Sequence, residues 1–138
     1  MNRHSIFSLA AAFHDQTLPK AQWTHQAHLK VGLWTLLQFP AEDSLNRLRH
    51  GIRTYNEAIG GTNTATSGYH ETITAFYVQV IDRFLASVDR TRSPDELADE
   101  LIKLYGDKEL PLQYWSKEKL MSSEARLAWV EPDRCPLQ

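Results

Sequence analysis

The chain has 138 residues, of which 42% are hydrophobic and 23% charged, so one folded core is expected and global disorder is not. Fifteen Lys and Arg against seventeen Asp and Glu leave a net charge of −2, which lacks the basic excess of a dedicated nucleic-acid binder. A single cysteine, Cys135, excludes an internal disulfide and any multi-cysteine zinc or iron–sulfur centre.

The first apolar stretch, Ile6 to Phe13, is broken by Ser8 and is followed by no convincing cleavage site. It predicts a short helix with Ile6, Leu9, Ala10 and Phe13 on one side. A connector from Asp15 to Gln22 carries Pro19. Thr24 is placed to cap a second helix over His25–Gln38, which Pro40 terminates. Ala27, Leu29, Val31, Leu33, Trp34, Leu36 and Leu37 make that helix apolar on most sides, so it is expected at the centre of the fold. Its longest apolar run, Val31 to Leu37, falls far short of the roughly 20 residues that span a bilayer. A soluble, cytoplasmic protein without membrane contact is expected.

The third helix, over Glu42–Ile59, carries the cleanest stripe: Leu45, Leu48, Ile52, Tyr55 and Ile59 recur at three- and four-residue steps. Gly60 and Gly61 stop it, and a polar loop of small residues runs to Gly68. A fourth helix over Tyr69–Val88 follows, and Ser93-Pro94-Asp95-Glu96 opens a fifth that ends at Gly106. The tail, Leu112 to Val130, offers two short helices split at Ser122-Ser123. With no sustained alternation of apolar and polar residues, the chain reads as all-α, a single-domain bundle of about five to seven helices over residues 1–138.

Six histidines are the chemical resource. His25 and His28 stand three positions apart at the start of the second helix and project from one face, a spacing that suits two imidazoles on one metal. Packing or capping explains such a pair equally well. Gly68-Tyr69-His70-Glu71-Thr72-Ile73-Thr74 begins like the H-E-x-x-H helix of zinc proteases, but Thr74 stands where the second histidine must be. What survives is His70 with a carboxylate, Glu71, at a helix start beside a small-residue loop. If the second and fourth helices pack side by side, His25, His28 and His70 meet as metal ligands. Glu71 is then a fourth ligand or a general base, and His70 with Glu71 forms the catalytic pair. The same groups could work without metal.

Asn56, Tyr69 and Thr74 are candidate substrate contacts. Each also has a plain structural reading: Asn56 bonding the next loop, Tyr69 joining the core, and Thr74 sharing a helix face with His70. His4, His14 and His50 receive no role, and Arg47, Arg49 and Arg53 read as a solvated basic edge. Tyr114, Trp115 and Trp129 are expected to anchor the tail, and Cys135 to be exposed.

The strings W-T-H-Q-A-H-L (Trp23 to Leu29), G-I-R-T-Y-N-E-A-I-G (Gly51 to Gly60), G-Y-H-E-T-I-T (Gly68 to Thr74) and W-V-E-P-D (Trp129 to Asp133) together resemble a group of small bacterial proteins with no assigned activity. That resemblance spans most of the chain and implies an all-α bacterial domain. A more distant likeness links the chain to the metal-dependent HD-type phosphohydrolases, with His70-Glu71 in place of their His-Asp pair and no matching final aspartate.

These observations lead to a small helical metal-binding enzyme of hydrolase, lyase or isomerase type, acting on a small molecule with one divalent ion; zinc, nickel, manganese and iron are all open. A non-enzymatic ligand-binding or interaction module held by buried histidine hydrogen bonds is the alternative. A homodimer stays open, since the third helix and the tail carry apolar surface.

Overall fold

The computed structural model describes residues 5–137, so His4 lies outside it. Among these residues every regular element is helical: α1 (Ile6–His14), α2 (His25–Leu36), α3 (Ala41–Ala58), α4 (Glu71–Ser87), α5 (Pro94–Tyr105), α6 (Lys117–Leu120) and α7 (Ser123–Leu127). Short 3-10 turns at Lys20–Gln22 and Leu110–Gln113 sit in the connectors before α2 and α6. The all-α bundle is therefore as expected. Among the described residues no helix is long and apolar enough to cross a membrane.

The caps explain where the helices begin. Ser5, Thr24, Ser93, Ser116 and Ser122 each place a side-chain oxygen on an N–H of the first turn, satisfying a donor that has no partner within the helix. Ser93 and Glu96 complete a reciprocal capping box. The start of α4 is displaced by two residues, that of α3 by one, to Ala41. α4 begins at Glu71 rather than Tyr69, because the His70 imidazole takes the cap position and accepts from the Ile73 N–H (3.1 Å).

α2 occupies the centre and packs against α1, α3, α4 and α5. Leu29, Val31 and Leu33 are almost wholly buried, and each such side chain contributes roughly 1.5–3 kcal/mol of transfer free energy. Gly32 lets α4 approach: a Cβ there would stand 2.9 Å from Ile81 Cδ1. Tyr55 of α3 is fully buried and donates its hydroxyl to the Leu18 carbonyl (2.6 Å), tying the first connector to α3. Asp95 of α5 accepts the Ile6 N–H (2.7 Å), which closes α1 onto α5.

The tail is an integral layer rather than an appendage. Trp115 is fully buried, meets Phe76 and Trp129 edge-on, and donates its indole N–H to the Val130 carbonyl (3.0 Å). Thr72 donates to the Ala128 carbonyl (2.9 Å) and accepts from the Val130 N–H (3.2 Å), joining α4 to the segment after α7. The anchoring roles expected of Trp115 and Trp129 are present, and Cys135 is exposed.

The loop from Gly60 to Gly68 is organised by one side chain. Asn63 Oδ1 accepts from Asn56 Nδ2 and from the Tyr69 N–H (both 3.0 Å), while Asn63 Nδ2 donates to the Arg53 carbonyl (3.0 Å). Gly68 closes the loop at φ +85°, where a Cβ would lie 2.0 Å from the Thr62 carbonyl oxygen. Gly68→Ala is expected to destabilise the chain by about 1–3 kcal/mol, from the left-handed backbone and the clash together. Urea unfolding checks this; an unchanged midpoint would contradict the structural role assigned to the loop.

Candidate functional site

A cleft of about 720 Å³ opens between the start of α2, the end of α3, the first half of α4 and the tail. That volume lies within the usual range of small-molecule sites, roughly 300–1,000 Å³. His25, His28, Asn56, Tyr69, His70 and Thr74 all line it, so six of the residues singled out from the sequence do converge. Glu71 is not among the lining residues. Their convergence follows from the packing of α2 on α4.

The three imidazoles have different fates. His70 is buried and uses both ring nitrogens. Nδ1 accepts the Ile73 N–H, which leaves the proton on Nε2, and Nε2–H donates to the Leu120 carbonyl (2.7 Å). Burial holds its pKa below the ordinary value, in keeping with the neutral tautomer. No lone pair remains for an ion or a proton, so the expectation of His70 as metal ligand and catalytic group is corrected. It is the cap of α4 and the clasp of the tail.

Glu71 requires a second correction. Placed about 100° around the helix from His70, it meets α3 instead of the cleft. Arg49 grips it through two bonds, Nε to Oε1 (2.8 Å) and Nη2 to Oε2 (2.6 Å), and Tyr69 donates its hydroxyl to Oε1 (2.7 Å). The Arg49 guanidinium holds this carboxyl below the usual carboxylate range. Glu71 is thus a committed structural anion, not a general base, and Arg49 is no solvated edge residue. Among the described residues no group of three or more His, Cys, Asp or Glu is placed to hold a metal ion. The expected three-histidine centre does not assemble, because its third member is already bonded at both nitrogens.

His25 and His28 differ in kind. The His28 ring stacks on Trp23, with centroids 3.8 Å apart and planes at 25°. The ring is exposed and lines the cleft. Desolvation by the surrounding protein, reinforced by His25, lowers its pKa to about 4. His25 meets the Tyr77 ring edge-on at 5.3 Å. Its pKa is lowered by burial, with Asp107 opposing and Lys108 adding to the shift. Nε2 of His25 is buried and has no hydrogen-bond partner. His25 and His28 also border a smaller recess of about 70 Å³ walled by Leu29, Ile52, Ile73, Tyr77 and Ile81.

The remaining candidates are partly engaged. Thr74 donates its hydroxyl to the His70 carbonyl (2.8 Å) and keeps acceptor capacity at the cleft wall. Asn56 is held by Asn63, and Tyr69 is buried with its hydroxyl on Glu71. Sequence reasoning missed Trp23 and Tyr77 as site residues, although Trp23 opens the same string that carries His25 and His28. It also missed the lysines at the rim, which come from three separate segments.

His70→Ala is expected to lower stability by about 2–3 kcal/mol, one part from the lost cap and one from the stranded Leu120 carbonyl, with His70→Asn restoring the cap share. Equal midpoints for wild type and His70→Ala in chemical unfolding would refute this. A second expectation concerns acid. His28 binds protons less readily when folded than the ordinary imidazole value of 6.5, so its contribution to stability is full above about pH 6.5 and is lost as pH falls toward about 4. His25, Asp107, Lys108 and Lys20 are the charged or titratable neighbours in this part of the cleft. Glu71 adds a loss of the same sign at lower pH, below its ordinary value of 4.5. Thermal unfolding of His28→Gln across this range should therefore be flatter than wild type between about pH 6.5 and 4, and coincident curves would contradict the assignment.

Comparison of the chain with protein-family models, with curated proteins and with solved structures finds no match in any of the three.

Proposed function

We propose that the cleft binds a small organic molecule and that His25 and His28, held neutral, are its hydrogen-bonding and proton-transferring groups, as in an acid–base enzyme of hydrolase, lyase or isomerase type. The observation that carries this reading is the buried, unpartnered Nε2 of His25. An unsatisfied buried nitrogen costs about 1–3 kcal/mol, and native structures retain few such groups without a use for them. The adjoining recess of about 70 Å³ has room for roughly two water-sized groups, so a small substituent of a ligand could enter it beside the ring.

The two histidines take different parts in this reading. A base works best when its pKa lies near the working pH, which makes His28, at about 4, a hydrogen-bonding and stacking group. His25 is then the proton-transfer candidate, with Thr74 supplying a further acceptor. If a divalent ion serves this cleft, His25 and His28 are the two imidazole donors the chain offers, and its other donors come from the substrate or from water.

The test is a fragment screen on isotope-labelled protein, read at the imidazole and indole resonances. Bound fragments should move His25, His28 and Trp23 signals, and His25→Gln should weaken them about tenfold or more while the unfolding temperature stays within a few degrees of wild type. Fragments that bind equally well to His25→Gln and His28→Gln would overturn the reading. Zinc added alone should move His25 and His28 before His70, and first movement of His70 would restore the three-histidine arrangement.

A further inference from the structure

The side chains lining the cleft have a one-sided charge. Lys20, Lys108 and Lys117 line it, and no Asp or Glu does. All three lysines are exposed, and among the described residues none forms an ion pair with a carboxylate. The chain as a whole carries −2, so the cleft has the sign opposite to that of the molecule. Arg126 adds a fourth cation at the lip, where it donates to the Gly68 carbonyl (2.7 Å).

Two acids lie near the cleft without lining it. Asp107, next to Lys108, accepts the N–H of Glu109 through Oδ1 (2.9 Å) and still acts on His25 by its charge. Glu71 is held by Arg49 and Tyr69 on the far side of the helix start. The three lysines outnumber the one Asp107 carboxylate at the edge, so the lining raises the local concentration of anions and repels cations.

The wall beneath is largely apolar. The Trp23 indole is sandwiched between His28 and Phe13, at 3.8 and 4.6 Å between centroids, so it offers the cleft its edge rather than a face. Ile52, Ile73 and Leu120 extend the wall along the cleft. A cationic rim over an aromatic and aliphatic floor is complementary to a ligand that is charged at one end and apolar at the other.

We infer that the cleft takes a small organic anion, a carboxylate or phosphate carried on an apolar body. This rests on the binding role proposed for the cleft and adds the chemical class of its occupant. The anionic head meets the lysines and the apolar body lies along Ile52, Ile73 and Leu120. Bound there, the anion also favours protonation of His25 and His28, so binding takes up protons and tightens as pH falls toward their titration.

The experiment compares four probes of one shape on the full chain: benzoate, phenyl phosphate, benzamide and benzylamine, followed at the His25, His28 and Trp23 resonances. Benzoate or phenyl phosphate should bind roughly tenfold or more tightly than benzamide, with benzylamine weakest, and the stronger anion identifies the head group. The K20Q/K108Q/K117Q variant should bind benzamide as wild type does and lose the preference for anions. Raising the ionic strength from about 0.05 to 0.5 M should weaken the anions and leave benzamide unchanged, a check that needs no variant. Benzamide or benzylamine binding as tightly as both anions would overturn the anion assignment and leave the binding role standing. Failure of all four probes to move the cleft resonances would overturn both.

Discussion

The start of α4 is where the fold is tied together, and the His70 imidazole is the centre of it. One nitrogen accepts from the helix's own first turn, and the other donates to Leu120 at the end of α6. The next two residues continue the junction outward: Glu71 toward α3 through Arg49, and Thr72 toward the segment after α7. Tyr69, one residue earlier, bonds the loop before the helix through its N–H and Glu71 through its hydroxyl. Four consecutive residues thus hold the loop, α3 and the tail on one helix terminus. Such a junction is strong because each polar group in it is buried or half-buried and satisfied, so that losing one member strands its partner.

The cleft is a consequence of that junction. Its lip is the loop that Asn63 and Gly68 shape, its floor is α2 packed on α4, and its far wall is the tail held by His70 and Thr72. With His70 and Glu71 spent on structure, the groups left facing the cavity are His25 and His28, which desolvation keeps neutral. The proposed reading of the site therefore rests on unprotonated imidazoles beside lysine side chains rather than on a carboxylate base.

Much of the architecture was legible from local signals. Thr24, Pro40, the Gly60-Gly61 pair and Ser93-Pro94 mark helix ends through capping and backbone chemistry that acts within a few residues. The apolar surround of α2 marked it as central, since a helix without a polar face has nowhere else to go. The site was half legible. His25 and His28 share a face by helical spacing alone, and side-by-side packing of α2 and α4 was enough to bring His70 and Thr74 near them. The roles of His70 and Glu71 were not legible, because they depend on Leu120 and Arg49, fifty and twenty-two positions away.

What the sequence by itself determined is the helical class, the order and approximate ends of the helices, and the pairing of His25 with His28, all of which rest on interactions between near neighbours. Only the tertiary structure decided which histidines remain free. A buried polar atom must find a partner, and for His70 that partner is a backbone carbonyl that any residue at position 120 would present. The same holds for the charge of the cleft: Lys20, Lys108 and Lys117 lie in different segments of a chain with slight net negative charge, and only folding brings them around one cavity.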